Sequence, residues 1–352
     1  MSEEKPDIRD LTREQLREAM LVAGDKAFRG DQIFDWLWNK HSRSFAEMTN
    51  IPSSLRDALQ QTYVLHKVEL AEKQVSNDGT IKCAFRVGEN QVVEGVLIPA
   101  EDRMTACISS QVGCSLSCKF CATGRLRRMR NLSAAEIYDQ VVMIGNLARE
   151  HYQKPLTNIV YMGMGEPLLN YQNVMRSITM ITSDEGLGMA ARRITVSTAG
   201  IAKMIHKLAE DKVRFNLALS LHAANDEKRS SVMEINDTND LQTLADALNH
   251  FIRETGNKPT FEYIIFDGFN DQPADALELA RYCRKVPAKV NIIEYNPIDD
   301  SEFRQAAPGK VDAFRRILED HGVIATVRRS RGKDIDAACG QLANKNKLAA
   351  RA

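Results

Sequence analysis

The sequence predicts an α/β fold, a partial TIM-like (β/α)6 barrel preceded by a small N-terminal helical domain and a short antiparallel β connector. Three observations predict it. From TACIS at 105 to VIATVR at 323, apolar runs of strand length alternate with helical patterns, which implies a parallel sheet with helices packed outside it. Six β/α units follow one another, too few to close an eight-stranded barrel. The polar residues capable of chemistry fall at the carboxyl ends of those strands, the rim on which barrel enzymes build their sites. A doubly wound sheet gathers its ligands at one reversal of strand order instead.

Each element has a local reason. Residues 1–65 form the helical domain: Thr12 and Gln15 make a capping box, Ile33, Phe34, Leu37 and Trp38 share one helical face, and a second apolar series runs from Leu55 to Leu59. Residues 66–100 form the connector, alternating around the turn Asn77-Asp78-Gly79 with VVEGVLIP as a third strand. The barrel core spans 101–340. Its strands are TACIS, NIVYMG, RITVST, FNLALSLH, TFEYIIF and AKVNIIEYN, followed by VIATVR. The first intervening helix starts at Ser133, capped with Glu136, and carries Ile137, Val141 and Ile144 on one face. Residues 341–352 are a tail.

A chain of 352 residues can bury a sizeable core. Its 47 basic and 47 acidic side chains balance, so an RNA partner has to be met by a local basic patch. No run of about 18 apolar residues is present, and the start MSEEKPDIRD lacks the basic and apolar regions of a signal peptide. The expected location is the cytoplasm, with no membrane contact. In that reducing compartment seven cysteines argue for metal or redox chemistry and against a disulfide framework.

Four of them, Cys107, Cys114, Cys118 and Cys121, lie within CISSQVGCSLSCKFC. The last three form C-x3-C-x2-C on the loop after the first barrel strand, a spacing at which thiolates wrap zinc or an iron-sulfur cluster. A structural zinc wants a further ligand pair, and no second C-x2-C is present. Three ligands suit a [4Fe-4S] cluster with one iron left open to a small molecule offering an amine and a carboxylate.

With Phe120 before the last cysteine, and GMGEP at 163–167 one strand later, the pattern resembles the radical S-adenosylmethionine enzymes. The ordered set QVGCSLSCKFCATG, VYMGMGEPLLN, RRITVSTAG, ALSLHA, YNP and RGKDIDAACGQLA resembles one subfamily of them over nearly the whole chain. That subfamily is the dual-specificity adenine-C2 methyltransferases of 23S ribosomal RNA and transfer RNA. The resemblance implies methylation at C2 of adenosine 2503 in 23S rRNA and of adenosine 37 in a subset of tRNAs. It also implies a [4Fe-4S] cluster on Cys114, Cys118 and Cys121, with S-adenosylmethionine as the other cofactor. Contacts to S-adenosylmethionine would come from Gly165, Glu166, Ser197, Ser220, Leu221, His222 and Asn296. A reductant such as flavodoxin would serve the cluster, and the chain would act as a monomer.

C2 of adenine is electron-poor and bears hydrogen, so it cannot attack a sulfonium methyl group as an amine would. A radical route is the remedy. In the mechanism that the resemblance implies, Cys339 accepts a methyl group from one S-adenosylmethionine, and a radical from a second removes hydrogen from it. The methylene radical adds to C2, and Cys107 then attacks the sulfur of Cys339, releasing the product and leaving a transient disulfide. Glu94 matches the position assigned as proton acceptor, and the Cys107 thiolate is a second candidate; by itself Glu94 reads as an outward carboxylate on a connector strand. The target base has to be extruded to expose C2.

Cys83 and Cys283 match no motif and read as buried and inert, while Met162 and Met164 read equally as core or cofactor contact. The runs RLRRMR at 125–130 and RRSRGK at 328–333 flank the presumed chemistry and are candidates for phosphate binding. Two rival readings stand beside the first. One is an adenine-C8 methylating enzyme sharing the two-cysteine mechanism, the other a zinc-containing RNA-binding module without turnover.

Overall fold

The computed structural model describes residues 5–88 and 91–345, so residues 346–352 of the expected tail lie outside the described residues. Helices α1 (Arg13–Val22), α2 (Phe28–Trp38) and α3 (Ser53–Thr62) come first. The capping box of α1 is made in both directions, Thr12 accepting from the Gln15 amide and Gln15 from the Thr12 amide. Strands β1 (Val68–Val75), β2 (Ile81–Val87) and β3 (Val92–Pro99) then form an antiparallel run. β4 (Met104–Cys107) is the hinge of the sheet, antiparallel to β3 on one side and parallel to a later strand on the other.

After β4 a small ribbon of β5 (Gln111–Val112) and β6 (Arg130–Asn131) clasps the cysteine loop. The barrel units follow: α4 (Ala134–Tyr152), β7 (Asn158–Tyr161), α5 (Tyr171–Thr182), β8 (Ile194–Thr198), α6 (Ala202–Glu210) and β9 (Asn216–Ser220). α7 (Asp226–Val232), α8 (Leu241–Thr255), β10 (Thr260–Ile265), α9 (Pro273–Lys285), β11 (Lys289–Glu294), α10 (Pro308–Asp320) and β12 (Ala325–Arg328) complete it. The short α7 is an addition, since the pattern predicts a single helix between β9 and β10. It starts where the Asn225 side chain accepts from the Lys228 amide at 3.1 Å.

All strands except β5 and β6 form one sheet in the order β1-β2-β3-β4-β7-β8-β9-β10-β11-β12. From β4 onward every pairing is parallel and the order never reverses, so the sheet has no switch point and follows the expected partial-barrel succession. The connector strands continue the barrel sheet directly. One apolar core runs from Leu16 and Trp38 through Val96 and Ile159 to Leu342. Two contacts dock the N-terminal helices on α4: the Tyr138 hydroxyl donates to the Trp38 carbonyl at 2.8 Å, and Arg9 donates twice to the Asp139 carboxylate. Among the described residues no helix is long and apolar enough to cross a membrane.

Candidate active site

The cysteine loop leaves β5 through Gly113, whose φ is +74° and whose added Cβ would lie 2.3 Å from the Arg127 carbonyl oxygen, so only glycine fits. Three backbone bonds then shape the loop: Cys114 N–H to Leu126 at 3.3 Å, Lys119 N–H to Val232 at 3.1 Å, and Ala122 N–H to Gly340 at 2.7 Å. Cys114, Cys118 and Cys121 line one cavity of about 160 Å3. Burial pushes the Cys114 thiol up to about 11 and Cys118 higher still, and charge on Cys121 adds to both. Such thiols ionise readily only beside a cationic centre, which is what a metal cluster provides. Among the described residues no three His, Cys, Asp or Glu side chains gather at the spacing of a single ion. Three thiolates that each take a different iron need no such convergence, so the donor set fits a cluster better than a lone zinc.

Gly165 and Glu166 enter the same cavity from the end of β7. Gly165 has φ +96°, and Gln111 Oε1 accepts from the Glu166 amide at 2.8 Å, so the turn is pinned to the ribbon beside the cysteines. Glu166 is buried, its Oε2 accepting from Ala199 N–H at 2.8 Å and its Oε1 from Leu168 N–H at 3.0 Å. Burial pushes its carboxyl up while those amides pull it down. Each oxygen keeps a free lone pair for an ammonium donor.

Ser197, Ser220 and His222 line the cavity from the ends of β8 and β9. His222 sits at φ +57° with its ring edge-on to Phe120, centroids 4.6 Å apart. Its Nδ1 accepts from the Ile264 amide at 3.1 Å, which leaves the ring proton on Nε2. Burial, assisted by Arg229, pushes the imidazole down to about 3, so it stays neutral at any working pH. The lining does not include Leu221 and Asn296. Leu221 is fully buried, and the Asn296 amide instead donates to the Cys339 carbonyl at 3.1 Å.

After β12 the chain turns back over the barrel mouth and delivers Cys339 to the cavity that holds the cysteine loop and Cys107. The connector and the cysteine loop hold this strap. Asp78 accepts from Gly332 N–H at 2.9 Å, Lys82 Nζ donates to the Ile335 carbonyl at 3.1 Å, and the Thr123 hydroxyl donates to the Leu342 carbonyl at 2.6 Å. Glu94 belongs to the same clamp. It is wholly buried, not outward, and Oε2 accepts from the amides of Ala343 and Asn344 at 3.0 and 3.1 Å. Lys82 Nζ lies 3.3 Å from its Oε1, and Glu94 is absent from the cavity lining. The reversal has a simple cause: residues 343–344 lie over β3, and the spacing of VVEGVLIP carries no sign of them.

Burial pushes the Cys107 thiol up to about 12, with charge on Cys339 adding to it and Arg328 opposing. Cys339 presents exposed surface to the cavity yet lies deep in the molecule, which raises its thiol too, again against Arg328. Arg328 is thus the cation shared by both sulfurs. Its Nη1 lies 4.0 Å from Glu262 Oε2, and both side chains line the cavity.

Glu262 went unnoticed in the sequence because TFEYIIF reads as an apolar strand with one polar interruption. Arg229 was missed as well. Fully buried on α7, it donates to the Ala199 carbonyl at 2.6 Å, to Asn236 Oδ1 at 2.7 Å and to the Leu221 carbonyl at 3.2 Å, tying the ends of β8 and β9 together. No local signal marks either residue.

The basic runs divide. Arg130 serves the fold, with two bonds of 2.7 Å to Glu136 and one of 2.6 Å to the Val87 carbonyl. Arg331 pairs with Asp78 and Lys333 with Glu294. Arg127, Arg128 and Arg329 are exposed. Cys83 and Cys283 are buried as expected, each thiol pushed up to about 12 by burial. Met164 is core, whereas Met162 lines the cavity.

Comparison with known proteins agrees with this geometry. Residues 6–65 match the family described as the ribosomal RNA large subunit methyltransferase N-terminal domain, and residues 108–280 match the radical SAM superfamily. The probable dual-specificity RNA methyltransferase RlmN of Cytophaga hutchinsonii is 58% identical over 341 residues, 97% of this chain and 93% of that protein. The dual-specificity RNA methyltransferase RlmN of Anaeromyxobacter dehalogenans is 41% identical over 97% of this chain and 93% of its own length. A radical SAM methyltransferase from Sphaerobacter thermophilus superposes with a TM-score of 0.90 at 42% identity, covering 96% of this chain and 99% of that one. The chain therefore belongs to the RlmN family of dual-specificity RNA methyltransferases, radical S-adenosylmethionine enzymes that use a [4Fe-4S] cluster and S-adenosylmethionine.

Proposed function

We propose that the enzyme methylates C2 of adenosine 2503 in 23S rRNA and of adenosine 37 in a subset of tRNAs by a two-cysteine route. One observation carries the reading. Cys107 and Cys339, distant in sequence and in different segments, line the cavity that also holds the three loop cysteines. Cys114, Cys118 and Cys121 would hold the cluster, three thiolates being offered for four irons. Gly165, Glu166, Ser197, Ser220, Leu221, His222 and Asn296 would contact S-adenosylmethionine, Gly165 clearing the space beside Glu166. When bound, the two cofactors supply a reducing electron and a carbon radical, chemistry that is theirs while the protein orients it.

The protein's own sulfur carries the carbon. As a thiolate beside Arg328, Cys339 would take the sulfonium methyl group of bound S-adenosylmethionine, its S–C bond forming as the sulfonium S–C bond breaks. After that methyl loses a hydrogen atom, its carbon would add to C2 of the adenine and link RNA to protein, the adduct giving its C2 proton to Cys107 and its unpaired electron back to the bound cluster. Cys107 would then attack the Cys339 sulfur, the S–C bond breaking toward the base as the released carbon takes up the Cys107 proton, and a disulfide would remain to be reduced. Its place in the lining supports Cys107 as acceptor of the C2 proton; Glu94 we assign to holding the strap. A reductant such as flavodoxin, a monomeric state and a cytoplasmic location complete the reading.

The test is a trapping experiment. C107A should accumulate a covalent RNA adduct on Cys339, and C339A should yield neither adduct nor 2-methyladenosine by nucleoside mass spectrometry. Methylation by C339A at the wild-type rate would sink the route.

A further inference from the structure

Glu262 is the one carboxyl of the cavity that neither the cluster loop nor the Glu166 turn accounts for. It is 4% exposed, and its Oε2 has no hydrogen-bond partner. Its other oxygen is fixed: Oε1 accepts from Asn291 Nδ2 at 2.9 Å, and Asn291 Oδ1 accepts from the Thr326 hydroxyl at 2.7 Å. The three residues stand side by side across β10, β11 and β12, so this row aims Oε2 in one direction. Glu262 borders both the 160 Å3 cavity and a second cavity of about 750 Å3, in a wall that also includes Met162, Arg328 and Cys339. A buried acceptor left unpaired costs free energy unless a ligand completes it.

The chemistry of the missing partner follows from the residue types. A carboxyl oxygen wants a donor, and its cationic neighbour, Arg328 Nη1 at 4.0 Å, offers a donor beside it. Acceptor beside donor is the complement of adenine's pairing edge, where a 6-amino donor stands next to the N1 acceptor, itself bonded to C2. Guanine and hypoxanthine present the inverse pattern, a 6-keto acceptor beside an N1–H donor. Enzymes that act on extruded bases read that edge with buried polar groups. We propose that Glu262 is the specificity-determining residue for the target base, its Oε2 accepting a hydrogen bond from the adenine 6-amino group. The inference rests on the reading that this cavity receives an adenine. Burial pushes the Glu262 carboxyl up and Arg328 and Asn291 pull it down, and in either protonation state Oε2 keeps a lone pair for the amino group.

The experiment compares RNA hairpins carrying adenosine, purine riboside or inosine at the target position, all of which have a C2 hydrogen, in wild type, E262Q and E262A. Wild type should prefer adenosine over either analogue by about 10-fold or more in kcat/KM, the discrimination that one buried hydrogen bond sustains. In E262Q the amide N–H takes the place of Oε2, so the preference should shift toward inosine by about 10-fold. E262A should treat adenosine and purine riboside alike within about threefold. Iron content and Cys339 methylation are measured in parallel to show that the variants are assembled; should E262A fail to assemble, the near-isosteric E262Q carries the test. Unchanged discrimination in the assembled variants overturns the proposal. Weakened S-adenosylmethionine binding with discrimination intact would assign the carboxyl to the cofactor and overturn it equally. Absence of C2 methylation of adenosine by wild type would instead sink the underlying function.

Discussion

Replacing Gly165 by alanine tests the geometry beside Glu166 most directly. Gly165 has φ +96°, and a Cβ built there would lie 2.5 Å from Gln111 Cβ and 2.7 Å from its Cγ, where 3.4–4 Å is ordinary contact. The backbone conformation alone costs about 1–3 kcal/mol for an L side chain. Gln111 cannot swing aside freely, because its Oε1 holds the Glu166 amide at 2.8 Å and its Nε2 donates to Asn131 Oδ1 at 2.8 Å. Overpacking there adds about 1–3 kcal/mol, and a lost bond about 0.5–1.5. The sum is about 2.5–7.5 kcal/mol, or roughly 5–15 °C of melting midpoint at about 2 °C per kcal/mol. Circular dichroism of the anaerobically purified enzyme at fixed scan rate measures it, and calorimetric titration with S-adenosylmethionine should show weakened binding as Glu166 moves. A midpoint within 1 °C of wild type would refute the claim that close approach of Gln111 demands glycine here.

Four further outcomes follow from the structure. C118S should lose the brown absorbance and most of its iron on anaerobic reconstitution, read by colorimetric iron analysis; full iron retention would exclude Cys118 as a ligand. The His222 imidazole is held down at about 3 against 6.5 unfolded, so the unfolded chain binds the extra proton between those values. Its contribution is complete above pH 6.5 and is lost as pH falls, by about 1.4 kcal/mol per unit. H222N, whose amide oxygen can replace Nδ1 and which tolerates positive φ, should show a shallower acid limb in urea unfolding, and an unchanged slope would refute the assignment. R130A should lower stability by about 2–4 kcal/mol through its bonds to Glu136 and the Val87 carbonyl, while leaving the salt dependence of RNA binding unchanged. R127A and R128A should do the reverse, each reducing the salt slope by about one.

The legibility of the chain was uneven for identifiable reasons. The seven parallel strands were readable because an apolar run bounded by turn residues reports its own burial, and the caps at Thr12 and Ser133 because a capping box closes within four residues. The cysteine loop was readable for the same reason, its spacing being a local quantity. Glu94 was misjudged as outward because its partners, the amides of Ala343 and Asn344, lie at the other end of the chain. Arg130 was taken with its neighbours as a phosphate patch, since charge counting does not reveal which guanidinium finds Glu136. Arg229 and Glu262 carried no signal, because a polar residue amid apolar ones looks alike whether it faces a cavity or a carbonyl cluster.

By itself the sequence determined the succession of β/α units, the three-thiol loop, the glycine-glutamate turn and the family to which they belong. All of these rest on short-range period and spacing. Only the tertiary structure decided that Cys107 and Cys339 share a wall with Arg328, that Glu94 clamps the strap, and that Glu262 borders the cavity with one buried oxygen unpartnered. Those facts depend on where the sheet brings segments hundreds of residues apart, and free energy there is set by burial and pairing across the fold, quantities that no local pattern encodes.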